Sequence, residues 1–176
     1  MSPHELPALA MIAIAAIAAV TDWRTGEIPN WLTLPPILLA PLVYLVAYGS
    51  GGLVASLIGV GACGLVPYLM FRSRAIGGGD VKLFAALGAL GGMQLGIEAQ
   101  LLGLSAGVVF ALVALARKRQ ILALFANTLR LASNPMLPRR RRRPVEPAAM
   151  HSLRLGLPIL IGTLLAVVAQ HGRLAP

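Results

Sequence analysis

Six apolar stretches, over residues 6–21, 34–48, 53–71, 81–92, 101–116 and 153–168, alternate with polar or glycine-rich links along the chain. A helix needs about 20 mostly apolar residues to cross the hydrocarbon core of a bilayer. The pattern therefore predicts an all-α, polytopic membrane helix bundle of about six transmembrane helices, a single integral domain over 1–176 with no separate soluble part. The first stretch is rich in Ala and Ile, and the third carries Gly59, Gly61 and Gly64; small residues of this kind let membrane helices approach closely. Pro29 drives Ile28 out of the helical region and Gly26 permits a turn, so residues 22–33 read as a loop. Pro35 and Pro36 fit the first turn of the second helix, where amides lack partners in any case. Gly49-Ser50-Gly51-Gly52 and residues 77–80 read as tight turns, and Gly91 to Gly96, with Glu98 behind it, as the link between the fourth and fifth helices. The longest polar region, about 117–152, holds an amphipathic piece over 120–131 suited to the bilayer interface and the run Arg139 to Arg143, a solvated topological anchor.

Composition sharpens this picture. The chain is 57% hydrophobic and 12% charged, and a soluble domain carries about twice that charged fraction. A net charge of +9 raises nucleic acid as a partner, but the basic residues flank apolar stretches and are not interleaved with aromatics on a polar face, so no nucleic acid is expected. The charge reports topology instead. Cytoplasmic loops carry an excess of Lys and Arg. With both termini outside, all of the 15 basic residues except Arg173 fall on the inner side, and so do both aspartates. Cys63 stands alone in an apolar stretch, which gives no disulfide framework and no Cys-x-x-Cys pattern and suits a small core residue. No basic residue precedes the first apolar stretch and no small-residue cleavage site follows it, so a retained helix is expected.

Against that background two carboxylates stand out. Asp22 and Asp80 are the two aspartates of the chain, and each abuts an apolar helix, whereas Glu5, Glu27, Glu98 and Glu146 fall in polar links or termini. A carboxylate at membrane depth faces protein or water and serves a function as a rule. Two carboxylates brought close cannot both ionise easily, so they share a proton. Such a pair can divide hydrolysis between them: the ionised member takes a proton from water attacking a peptide carbonyl, and the protonated member donates one to the carbonyl oxygen or the leaving amine. Gly77, Gly78 and Gly79 would let a substrate backbone come close. Taken singly, Asp80 also fits an N-cap of the fourth helix and Asp22 a loop carboxylate paired with Arg24; taken together on one face, they read as a catalytic pair. Lys82 reads as one more inner-side anchor. His4, His151 and His171 are scattered, with neither metal-ligand spacing nor a Ser-His-Asp arrangement, and the Gly-x4-Gly-Lys-Ser/Thr spacing of a phosphate loop is absent.

The segment Gly77-Gly78-Gly79-Asp80-Val81-Lys82-Leu83 resembles the Gly-x-Gly-Asp motif of the type IV prepilin peptidases, membrane aspartic proteases that include the archaeal preflagellin peptidases. Asp22-Trp23-Arg24-Thr25-Gly26-Glu27-Ile28-Pro29-Asn30 resembles the first catalytic region of that family, with its Ile-Pro-Asn continuation. Gly-x-Gly-Asp is shared with presenilin-type proteases; the pair of motifs in this order is specific. The resemblance implies Asp22 and Asp80 as the catalytic dyad, with Gly77, Gly79, Lys82, Pro29 and Asn30 as motif positions around them. It implies a prepilin or pseudopilin precursor as substrate, cut at the cytoplasmic face of a bacterial inner membrane, commonly after a glycine, with no cofactor and no metal. The chain lacks the paired cysteines of the long, methylating members and resembles the short, peptidase-only branch found with Flp-type pilus systems. Its Arg-rich insertion departs from the family, and the last stretch, with Gly156 and Pro158, receives no site residues. Two other functions fit parts of the pattern. One is a small ion-coupled transporter relaying ions through the aspartates, against which their position at one end of the helices speaks. The other is a non-catalytic subunit of a pilus or secretion machine.

Overall fold

In the computed structural model, residues 5–73, 75–117 and 154–174 are described. They form four helices: α1 (Glu5–Thr25), α2 (Asn30–Arg72), α3 (Gly78–Arg117) and α4 (Gly156–Leu174), with no strand among the described residues. α1, α2 and α3 are long and apolar enough to cross a membrane. Their surfaces agree with that. Leu38, Val43, Val46, Leu57, Leu65 and Val108 are exposed, an apolar exterior that water would not tolerate over so large an area. The amphipathic piece at 120–131, the Arg139 to Arg143 run and Arg74 lie outside the described residues.

The helix boundaries correct several expectations. Residues 22–25, expected in a loop, form the last turn of α1, because nothing in Thr-Asp-Trp-Arg-Thr breaks a helix. Gly26 ends it with φ 75°, and its N–H returns to the Asp22 carbonyl at 2.9 Å, as in left-handed helix stops. α2 then starts at Asn30, capped by Pro29 in an extended conformation, so residues 30–33 are its first turn. Pro35 and Pro36 consequently lie inside the helix and not in its first turn; proline is tolerated inside membrane helices where neighbours take up the freed carbonyls.

Two glycines shape the long helices. Within α2 only Gly49 leaves the helical region, at φ 69° and ψ −159°, and within α3 only Gly92, at φ 70° and ψ −176°. These left-handed conformations suit glycine alone. The expected turn over residues 49–52 and the expected link over 91–96 thus shrink to one residue each, and Glu98 is helical, ion-paired to Arg173. At each glycine the chain folds back on itself: Gly52 lies against Tyr44 and Tyr48, and Gly96 against Gly88. Among the described residues this makes six helical runs.

The chain divides into two compact units, one of residues 1–107 with 154–176 and one of 108–153. In the first, small residues set the crossings. The 50–72 run packs antiparallel to the 78–91 run, with Gly59 on the Gly88 backbone and the Ser56 hydroxyl donating to the Ala89 carbonyl at 2.8 Å. Gly103 and Gly162 bring the later part of α3 against α4 in the same way. α1 packs chiefly on α4. Phe84, Met11, Leu83, Leu87 and Ile159 are fully buried between these runs, and so is Cys63, a free thiol against Gly88 and Gly96. The described part of the second unit is the end of α3, with Val109, Phe110 and Val113 exposed.

Candidate active site

Asp22 comes from the last turn of α1, and Asp80 from the first turn of α3. Both are buried, at 6% and 7% exposure, a placement that is costly for a carboxylate unless polar groups meet it. Polar groups do. Asp22 Oδ2 accepts the Gly156 N–H at 2.9 Å, and Asp80 Oδ2 accepts the Gly77 N–H at 3.0 Å. Asp80 therefore reaches back to the residue before its helix, as the third helical residue does in a capping box. Asp22 caps a different helix: Gly156 opens α4, whose first amides have no partner of their own. The expected alternative for Asp22, a loop carboxylate paired with Arg24, does not hold, since its partner is an amide 134 positions later in the chain.

The two carboxylates lie at one end of the bundle, on the last turn of α1 and the first turn of α3. What brings them there is the packing of the two motif regions. The position of a Gly79 Cβ would be 3.0 Å from the Ile28 Cβ, so the chain just after α1 lies directly on the first turn of α3, where Gly78 to Asp80, expected in a tight turn, are already helical. Lys82 donates to Asn30 Oδ1 at 2.7 Å, pinning the first turn of α3 to the first residue of α2. Lys82, expected to be an anchor, is thus part of the joint, and Pro29 sets the direction of the chain into Asn30. Gly77 sits over Asp80, its Cβ position 3.2 Å from Oδ2. Around Asp22 the polar side chains of the α1 end are satisfied locally: the Thr21 hydroxyl bonds the Ile17 and Ala18 carbonyls, and that of Thr25 bonds the Thr21 carbonyl.

Sequence reasoning missed Arg154 and Gly156. Arg154 Nη1 donates to the Trp23 carbonyl at 2.7 Å, and its guanidinium lies 5.9 Å from the centre of the Trp23 ring. The glycine at the head of the last helix was the available signal, but nothing local in the sequence ties it to Asp22. Among the described residues, no group of three or more His, Cys, Asp or Glu gathers that could hold a metal ion.

Fold and site together define a class: an all-helical membrane protein with two buried aspartates held at one end of its bundle. The model of the type IV leader peptidase family matches residues 9–112, more than half of the chain, and the chain belongs to that family. It is accordingly a peptidase. The match takes in Asp22 and Asp80 and stops short of Gly156. No curated protein and no solved structure matches the chain.

Proposed function

We propose that the protein is an aspartic endopeptidase that removes the leader of a type IV, Flp-like prepilin at the cytoplasmic face of a bacterial inner membrane, with Asp22 and Asp80 as its dyad. One observation carries this reading: two buried carboxylates on elements that pack together, each tethered through one oxygen to a backbone amide. Tethering fixes the direction of the second oxygen. One carboxylate, ionised, draws the proton from a water as it attacks the scissile carbonyl carbon; the other, protonated, donates to the carbonyl oxygen. The tetrahedral intermediate then collapses as the carboxylate that took the water's proton passes it to the leaving amine and the diol hydroxyl returns a proton to the other, so neither carboxylate is consumed. In the proposed topology of six crossings with both ends outside, the dyad would lie on the inner side with the basic links.

The test is cleavage of a Flp-like prepilin by membranes holding wild type, Asp22→Asn or Asp80→Asn at equal levels. Asn keeps the side-chain shape and can still accept the amide hydrogen bond, but it cannot relay a proton. Both variants should lose cleavage entirely while remaining in the membrane. Cleavage that survives either substitution overturns the reading.

A further inference from the structure

We infer that Arg154-Leu155-Gly156 is a strap that positions Asp22, Gly156 by its amide on the carboxylate and Arg154 by gripping the end of α1; the inference rests on the reading of Asp22 as a catalytic carboxylate. Three contacts converge on one helical turn. The Gly156 N–H holds Oδ2 of Asp22, which fixes the plane of the carboxylate. Arg154 donates to the carbonyl of Trp23, the next residue, and lies over its ring. That carbonyl belongs to the last turn of α1, whose carbonyls have no partner within the helix and attract cations. Between the two, Leu155 is buried in the core, and its carbonyl accepts the Ile159 N–H at 2.9 Å, so the strap is continuous with the first turn of α4.

Glycine at 156 is a steric requirement of this arrangement. A Cβ there would lie 2.8 Å from the Asp22 Cβ, 3.0 Å from the Ala19 Cα and 3.0 Å from Asp22 Oδ2. The α4 backbone must come that close for its amide to reach the carboxylate, and no larger residue allows the approach. Arg154, by contrast, is exposed. Its contacts are to the turn that carries Asp22 and not to the core, so its removal should disturb the carboxylate without unfolding the bundle. Arg154 and Gly156 are positioning residues, since neither acts on a substrate except through Asp22.

The full-length protein in detergent micelles gives two independent readouts. The first is modification of carboxylates by a carbodiimide and glycine ethyl ester, read at Asp22 and Asp80 by peptide mass spectrometry. The second is prepilin cleavage. Arg154→Ala should raise labelling of Asp22 several-fold, leave Asp80 and the thermal midpoint unchanged, and lower kcat about tenfold at constant KM, the scale expected for one charge-assisted hydrogen bond. Arg154→Lys, which keeps a cationic donor, should restore most of both. Gly156→Ala should act in the same direction with a kcat loss on the order of 100-fold, as for a misplaced catalytic group; if it fails to accumulate, the Arg154 pair decides. Unchanged labelling of Asp22 in Arg154→Ala, or an equal rise at both aspartates, overturns the strap. If labelling follows Arg154 but wild type cleaves no prepilin, the strap stands as the mount of Asp22 and the proposed activity falls.

Discussion

Gly79 and Gly78 are adjacent in the motif but face different neighbours, and the difference is testable. A Cβ at Gly79 would meet the Ile28 Cβ at 3.0 Å and its amide nitrogen at 3.4 Å. Ile28 is buried and β-branched, with a χ1 that has little freedom to give way. The first turn of α3 would have to move instead, and Asp80 with it. A Cβ at Gly78 meets the ring edge of Phe71 at 3.4 Å, and Phe71 is exposed and free to turn. Gly79→Ala should therefore lower the initial cleavage rate by about tenfold or more, as a displaced catalytic group does, while Gly78→Ala stays near wild type; rates at matched membrane levels decide. That Asp22 and Asp80 both lie buried where polar and apolar segments meet was legible in the sequence, because charge is scarce among apolar residues. The identity of the partner of Asp22 was not, because an amide presents the same group at every position and is singled out only by tertiary packing.

At the level of the helices, glycines divide into those that permit contact and those that merely occupy a surface. Gly59 lies on the Gly88 backbone and Gly162 on Gly103, whereas nothing lies within 4 Å of a Cβ at Gly61. Gly59→Ala and Gly162→Ala should each force a crossing apart and destabilise by about 1–3 kcal/mol, the range for overpacking. Gly61→Ala should be neutral or stabilise by up to about 1 kcal/mol through helix propensity. Thermal midpoints in one detergent separate the two outcomes. The sequence pattern located the helical runs, since each is apolar over most of its length, but not their joints. It read four residues at 49–52 and six at 91–96 as connections where one left-handed glycine suffices in each. Composition cannot tell which glycine of a cluster bears the positive φ, because helices in a membrane carry glycine freely. The same ambiguity hid the last turn of α1: polar residues at a membrane boundary look like a loop whether or not they are helical.

Across the whole molecule, Asp22 and Asp80 sit at one end of the bundle and the Glu98–Arg173 pair joins later parts of α3 and α4. The uneven placement of the 15 basic residues is the ground for the proposed orientation, through the positive-inside tendency, and that orientation can be checked directly. Ser50 and Ser73 are both exposed and stand one helical run apart, whereas native Cys63 is buried and should stay silent. In intact cells a membrane-impermeant maleimide should label Ser50→Cys and spare Ser73→Cys until the membrane is opened; the reverse pattern would invert the proposed topology.

Under the proposed function, the partner of Asp22 also sets when the pair is complete. Both aspartates leave the ribosome well before the Gly156 amide, which lies 134 positions after the Asp22 it meets. A nascent chain halted before residue 154 would carry the complete pair of acids with one of them unheld. Under the proposed function, docking of the last helix is thus the step that completes the pair, and a chain stalled before it should cleave no prepilin.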